Sequence, residues 1–182
     1  MRVCTLPFRL LCKEFGATCA YTAELVDLKL LASTRVHDES RHTIELVSDK
    51  DHTPIFQTDD TGRDQHTIAQ LGTANPDTAR QAAERIVDLV DGIDINCGCA
   101  MHFSTQGGMG CSLLKQPDIT AEIVKSLVRC CNGSKPVSCK IRLLETPKET
   151  VEFIEKMKGA GCGNVCVHAR RANETPKDAP RW

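Results

Sequence analysis

Aromatic residues are scarce in this sequence, whose 182 residues include five Phe, one Tyr and one Trp, or 4% of the chain. So few rings do not suit a surface that binds single-stranded nucleic acid by base stacking. The formal net charge is −1, so a nucleic-acid partner would need a local basic patch. No apolar run approaches the roughly 20 residues that span a bilayer, and charged residues interrupt the first 14 positions, unlike a signal peptide. We therefore expect no membrane partner.

The sequence has no C-x-x-C pair, although it contains eleven cysteines. An odd count spread over a chain of this length does not suit a secreted disulfide framework. A structural zinc ion is the alternative, because Cys97 and Cys99 lie two positions apart and Cys162 and Cys166 lie four apart. However, no set of Cys and His residues has the spacing of a zinc finger. We expect free, mostly buried thiols, no metal and a cytoplasmic location, with the nucleus as the alternative.

Apolar periodicity alternates between period two and helical spacing along most of the chain. The predicted helices cover 5–15, 23–32, 76–90, 117–131 and 146–161. The predicted strands cover 17–22, 66–72, 92–96, 135–143 and 164–170. Residues 33–65 are polar and rich in turns, and the pieces 43–47 and 54–58 suggest a hairpin. Short apolar strands that alternate with amphipathic helices are typical of parallel βαβ units in an α/β fold.

Five such strands fit either an open doubly wound sheet or part of an eight-stranded barrel. Polar residues lie at the carboxyl ends of four successive predicted strands: Gln70; Asn96 with Cys97 and Cys99; Lys140 with Arg142; and His168 with Arg170. In a (β/α)8 TIM barrel the carboxyl ends of all strands converge on one site, whereas a doubly wound sheet uses one switch point. A barrel needs eight strands, so we expect an incomplete (β/α)8 TIM barrel with about strands two to six.

The stretch "GIDINCGCAMHFSTQGGMG" (92–110) is consistent with a metal clip, a phosphate loop or a loop that presents one reactive thiol. Its glycines match neither G-x-G-x-x-G, because position 113 is Leu, nor a P-loop, so a flexible loop near a ligand is favoured. Cys99 follows a strand end on this loop, where a reactive thiol and a small buried side chain are equally plausible. His102 is more typical of a surface loop.

Other polar side chains also have two interpretations. Lys140 and Arg142 share one face of a strand, where they serve either a ligand or an end-of-strand salt bridge, and the same choice applies to His168 and Arg170. Glu24, at the start of a predicted helix, either faces the helix dipole or contacts a ligand.

With these residues assembled, the sequence resembles the tRNA-dihydrouridine synthase family, and most closely the eukaryotic type that modifies position 20. The similar segments follow the family's order over nearly the whole chain: "RVCTLPFRLLCKEFGA", "YTAELVDLKL", "AQLGT", "GIDINCGC", "STQGGMGCSLL", "PVSCKIRLL" and "VCVHARR". Two positions depart from the family's pattern, since Ala100 replaces a proline and Ala169 replaces a glycine. Neither change removes a reacting group.

The resemblance implies that residues 1–182 are part of an FMN-binding TIM-barrel catalytic domain, without the first strand, the last two strands and the C-terminal tRNA-binding domain. It implies that Cys99 is the catalytic thiol and protonates C5 of a uridine in tRNA, while a hydride from NADPH reaches C6 through FMN. The implied FMN contacts are Glu24, Gln70, Lys140 and His168. The residues implied near the flavin or the uridine are Asn96, Arg142 and Arg170.

Two other functions stay open. One is a truncated, non-catalytic product of such an enzyme. The other is a flavin barrel that acts on free pyrimidines, such as a relative of dihydroorotate or dihydropyrimidine dehydrogenase.

Overall fold

The computed structural model describes residues 4–175 and 177–181. Its strands are Ala20–Tyr21 (β1), Leu25–Val26 (β2), Ser33–Asp38 (β3), Thr43–Ser48 (β4), Pro54–Asp59 (β5), Thr67–Gly72 (β6), Gly92–Cys97 (β7), Val137–Leu143 (β8) and Asn164–Arg171 (β9). Its α-helices are Leu6–Glu14 (α1), Asp27–Leu31 (α2), Pro76–Glu84 (α3), His102–Gln106 (α4), Pro117–Cys130 (α5) and Pro147–Gly159 (α6). Two 3₁₀ segments cover Val87–Leu89 and Gly110–Lys115.

The main sheet is parallel and curls into a half-barrel. Its order is β1-β6-β7-β8-β9, and β2 also pairs with β6, so β1 and β2 together occupy one strand position. Helices α3, α5 and α6 connect successive strands, as parallel pairing requires. The incomplete (β/α)8 TIM barrel predicted from the sequence is confirmed.

Local sequence signals explain where the connecting helices begin. Proline occupies the first turn of α3, α5 and α6, where its missing N–H removes no helical hydrogen bond. The Asn75 side chain accepts from the backbone N–H groups of Asp77 and Thr78, and Thr146 forms a capping box with Glu149. These caps satisfy N–H groups that have no partner within the helix.

The core lies between the sheet and its helices. On that side, Leu71, Ile93, Ile95, Cys139 and Ile141 are fully buried and pack against apolar residues of α3, α5 and α6. Because side chains of a strand alternate between faces, the intervening residues point into the concave side of the half-barrel. The concave face is therefore where polar side chains accumulate.

Two predicted helices are shorter than expected. The predicted helix 23–32 was wrong in its first half, because Leu25 and Val26 pair with Leu71 and Gly72 of β6 and only Asp27–Leu31 is helical. Strand pairing in the sheet overrides the helical spacing of the leucines. The helix predicted at 76–90 ends at Glu84, and the 3₁₀ segment Val87–Leu89 follows it.

Residues 33–65 form a three-stranded antiparallel sheet rather than a two-stranded hairpin, in the order β3-β4-β5. The sequence did not reveal β3, because it lies at the edge of this sheet and four of its six residues are exposed. A strand that buries neither face lacks the alternation by which strands are recognised.

A buried ion pair joins this three-stranded sheet to α1 and β6. Arg9 donates to both carboxylate oxygens of Asp64, at 3.2 and 2.6 Å, and Lys13 donates to the same carboxylate at 2.8 Å. The hydroxyls of Thr58 and Thr67 also donate to Asp64. Asp64 thus has five side-chain donors, which come from the three elements α1, β5 and β6.

All eleven cysteines are free thiols, as expected. Five of them are buried and four are half-buried, so full burial is less general than the sequence suggested. Cys19 and Cys166 are exposed.

Candidate active site

Polar residues line the concave face of the half-barrel in rows that strand register fixes. The deepest row contains Gln70 of β6, Asp94 of β7 and Ser138 of β8, which are direct partners across the sheet. Two residues further along, Asn96 pairs with Lys140, and beyond them Arg142 pairs with His168. Among the residues predicted at the strand ends, a common surface therefore brings together Gln70, Asn96, Lys140, Arg142 and His168. Cys97 was wrongly included, because it alternates to the other face of β7 with Ile95 and is buried in the core.

The deepest row is a hydrogen-bonded network around a buried carboxylate. Asp94 is 1% exposed and accepts from Gln70 Nε2 at 2.8 Å and from Ser138 Oγ at 2.7 Å. Burial raises the pKa of Asp94, while the two hydrogen bonds and the charge of Lys140 act in the opposite direction. Burial and the Asp94 charge also raise the pKa of Tyr21. The base of the site is thus polar but closed to solvent.

Glu24 lies between β1 and β2 and does not open a helix, so the helix-dipole interpretation is wrong. Its Oε1 atom is buried and has no hydrogen-bond partner among the described residues. A Cβ atom at Gly72 would lie 2.6 Å from Oε1, so only glycine leaves room for the carboxylate there. Burial raises the pKa of Glu24, and the nearby Asn96 amide lowers it. An acceptor buried without a partner indicates that a donor from a ligand belongs beside it.

Cys99 is held at the end of β7 by hydrogen bonds on both sides. Asn96 Oδ1 accepts from the backbone N–H groups of Gly98 and Cys99, both at 3.0 Å. The Cys99 carbonyl accepts from the Cys111 N–H at 2.8 Å. Gly110 has a φ of +60°, and a Cβ there would lie 2.3 Å from the Cys99 carbonyl oxygen. Glycine at position 110 is therefore required for close packing against the cysteine turn.

The salt-bridge interpretation of the strand ends is wrong, because among the described residues no salt bridge is formed by Lys140, Arg142, His168 or Arg170. Arg142 instead donates to three carbonyls, those of Gly98, Arg171 and Glu174. It thereby connects the Cys99 turn to the segment after β9.

The other three basic residues of these strands differ in how they are held. Lys140 has no ion-pair partner within residues 4–175 and 177–181. Arg170 donates to the Asp178 carbonyl and lies 3.2 Å from His168 Nε2. Burial, followed by the charges of Arg142, Lys140 and Arg170, lowers the pKa of His168. His168 is therefore neutral at pH 7 and can accept or donate a hydrogen bond there.

His102 is exposed on α4, as expected for a surface histidine. In the part of the chain that the structure describes, no three His, Cys, Asp or Glu side chains are placed to bind a metal ion. No helix in the described residues combines the length and the apolar character that a membrane span needs.

The sequence of the chain also matches a known protein family. A family model described as dihydrouridine synthase (Dus) matches residues 1–182. The chain belongs to the dihydrouridine synthase family. The resemblance noted in the sequence is thereby confirmed, and so is the TIM-barrel architecture that goes with it.

Named relatives agree with this family. A tRNA-dihydrouridine(20) synthase (NAD(P)+) of Saccharomyces cerevisiae is 35% identical over 99% of this chain and 49% of its own length. A tRNA-dihydrouridine(20) synthase of Schizosaccharomyces pombe is 37% identical over 98% of this chain and 39% of its own length. A tRNA-dihydrouridine(20a/20b) synthase of S. cerevisiae is 28% identical over 93% of this chain. The chain spans about half the length of these relatives or less.

Sequence reasoning did not identify every member of the site. It noted that Asp94 and Asn96 share a face but did not connect Asp94 with Gln70 or Ser138. Ser138 lies 44 positions from Asp94, and only the register of β8 against β7 brings them together. The alternation of polar residues along each strand was the available signal.

Proposed function

We propose that this chain provides the catalytic surface of a flavin-dependent enzyme that reduces uridines of tRNA to 5,6-dihydrouridine. The observation that carries the proposal is the position of Cys99 in a chain of the dihydrouridine synthase family: three hydrogen bonds fix its turn at the end of β7, beside a polar, concave surface. The names of the relatives, which specify tRNA and NAD(P)+, support the same class of reaction. In this proposal residues 1–182 are part of an FMN-binding TIM-barrel domain, in the cytoplasm, and a domain outside them contributes part of the affinity for tRNA.

The residues of the concave face suit an isoalloxazine ring. Such a ring carries carbonyl oxygens, which need donors, and one imide N–H, which needs an acceptor. Lys140 has no ion-pair partner among the described residues, so it can donate to these oxygens, and so can the neutral His168. Asn96 offers its amide N–H groups as a further donor, while its Oδ1 atom accepts from backbone N–H groups. Gln70 and the buried Glu24 Oε1 provide acceptors. We therefore assign Glu24, Gln70, Lys140 and His168 to FMN.

The chemistry that bound FMN supplies is hydride transfer, with NADPH as the source of the hydride. Cys99 supplies the proton that C5 of the uracil needs, because a thiol at the end of β7 lies at the mouth of the barrel. Cys99 is half-buried, so solvent can return a proton to it after each turnover. Asn96 fixes the backbone of the cysteine turn and so orients the thiol.

Arg142 and Arg170 place positive charge beside this mouth and are assigned to the substrate. Their side chains are held by backbone carbonyls, so the two guanidinium groups are oriented before an anionic substrate arrives. A polyanion such as tRNA suits this local cluster even though the net charge of the chain is −1.

The test uses the purified 182-residue chain, FMN and a tRNA transcript. We expect flavin absorbance that survives desalting, and dihydrouridine formation with NADPH. Cys99→Ala should retain the flavin and lower turnover by about 100-fold or more, the usual effect of losing a general acid. Cys19→Ala, which removes an exposed thiol outside the site, is the matched control.

Three results would contradict the proposal. A chain that retains no flavin has no flavin site of its own, and the non-catalytic alternative would then stand. Full activity of Cys99→Ala would remove the proton donor from the mechanism. Reduction of free uracil but not of tRNA would favour the alternative flavin barrel.

A further inference from the structure

Asp94 is a buried carboxylate that the proposed reaction does not use. It is 1% exposed, and no cation lies within ion-pair distance of it among the described residues. A carboxylate in such a position is costly unless it is hydrogen-bonded, and its two partners, Gln70 and Ser138, are both neutral. An asparagine would fill the same space without a charge. The choice of a carboxylate therefore needs a reason beyond packing.

The reason lies in the amide of Gln70. A carboxylate only accepts hydrogen bonds, whereas an amide has a donating end and an accepting end of nearly equal shape. Since Gln70 Nε2 donates to Asp94 Oδ2 at 2.8 Å, the Gln70 carbonyl oxygen Oε1 is directed away from Asp94. Asparagine at position 94 would accept or donate and would permit both orientations of Gln70.

The rest of the surroundings keep this arrangement in place. Ser138 occupies the other carboxylate oxygen at 2.7 Å, so Asp94 cannot rotate freely. The backbone N–H of Gln70 donates to Thr22 Oγ1 at 3.0 Å, which fixes the strand from the other side. Gln70 Oε1 accepts no hydrogen bond from any described residue, and it is not a fully buried atom. A free acceptor of known orientation therefore faces the concave site.

We propose that Asp94 is a positioning residue that fixes the amide of Gln70 so that Oε1 accepts a hydrogen bond from the imide N–H of a bound ring. The inference rests on the proposed function, because a flavin and a uracil both carry an N–H between two ring carbonyls. A ring in which this nitrogen is methylated loses the donor and places a methyl group against Oε1. Asp94 thus contributes selectivity for the imide without touching the ligand.

The experiment compares FMN with N3-methyl-FMN by quenching of flavin fluorescence on the 182-residue chain. Wild type should bind FMN about tenfold more tightly, the effect of one hydrogen bond in a desolvated site. In Asp94→Asn this ratio should fall below about twofold, because both orientations of Gln70 become available. Asp88→Asn, which makes the same change of side chain at the surface and outside this network, should keep the wild-type ratio. Asp94→Leu, of similar size and apolar, repeats the test if Asp94→Asn does not fold.

A second arm distinguishes the two rings. It measures the affinity of the FMN-loaded chain for a short RNA with uridine or 3-methyluridine. If Asp94→Asn no longer distinguishes FMN from N3-methyl-FMN, or uridine RNA from 3-methyluridine RNA, the inference is supported. The pair whose affinities become equal identifies the ring that Gln70 contacts. Wild-type selectivity that survives in Asp94→Asn, or wild type that distinguishes neither pair, overturns it. A wild-type chain that binds neither FMN nor RNA overturns the proposed function itself, which is a different result.

Discussion

Loss of the Asp64 carboxylate should be the most damaging single change outside the active site. Asp64 and Arg9 are 1% and 3% exposed in their side chains, and their closest atoms are 2.6 Å apart. Asp64→Asn keeps the shape of the side chain but removes its charge. The Arg9 guanidinium then stays buried without a counter-ion, and Lys13 loses its carboxylate as well.

Removal of one partner of a buried ion pair typically costs about 3–5 kcal/mol. Arg9 keeps hydrogen bonds to the carbonyls of Cys4 and Gln57, so we expect the lower end, about 3 kcal/mol. That is a large share of the roughly 5–15 kcal/mol by which domains are stable. With an m value of about 2 kcal/mol/M, the midpoint of urea unfolding should fall by about 1.5 M.

Urea unfolding followed by circular dichroism measures this change. Asp88→Asn is the matched control, because Asp88 pairs with Arg35 at the surface, where both side chains are about half exposed. That control should cost less than about 1 kcal/mol. A cost below about 1 kcal/mol for Asp64→Asn would refute the reasoning.

The same carboxylate predicts a pH dependence. Burial raises the pKa of Asp64, but the hydrogen bonds from Arg9 and Lys13 outweigh it and leave the pKa below its ordinary value of 3.8. The folded state therefore binds this proton less readily than the unfolded chain does. The stabilisation is complete above the ordinary carboxyl pKa and is lost as pH falls through the lowered pKa of the folded state. Asp64→Asn should lack this part of the acid dependence.

Two further predictions concern the cysteine turn and a helix cap. Gly110→Ala should destabilise the chain by about 2 kcal/mol or more and displace Cys99, because its Cβ would lie 2.3 Å from the Cys99 carbonyl oxygen at a φ of +60°. Thermal unfolding measures the loss of stability, and dihydrouridine formation measures the displacement of Cys99. Unchanged values in both assays would contradict this prediction. Thr146→Ala should lower the free energy of unfolding in urea by about 1 kcal/mol, because it removes the capping box of α6, and should leave flavin affinity unaltered. A change in flavin affinity would show that the cap also acts on the site.

The sequence predicted the parallel strands and the surface that carries the candidate site, because both depend on local patterns. Alternation along 92–96 and 135–143 revealed two strands, and the polar residues at their ends indicated where they meet. Prediction from the sequence was wrong where tertiary contacts override the local pattern. Leu25 pairs with β6 although its spacing suits a helix, and β3 gains its order from β4 rather than from its own pattern.

Contacts between distant residues were also beyond the sequence. Arg9 and Asp64 are 55 positions apart, and no local signal connects a helix with a loop that follows a separate small sheet. The network of Asp94 requires the register of two neighbouring strands as well. Single residues of the site could be identified from their strand positions, but not the partners that orient them.

The register of these strands connects the stability of the half-barrel with its chemistry. On β7, Ile93 and Ile95 face the helices, while Asp94 and Asn96 face the concave side. A slip of one residue would move the isoleucines into the site and both polar side chains into the core. The apolar face therefore holds the register, and the register places Asn96 beside Lys140 and below the Cys99 turn. The packing that stabilises the sheet is thus the same packing that positions the candidate catalytic residues.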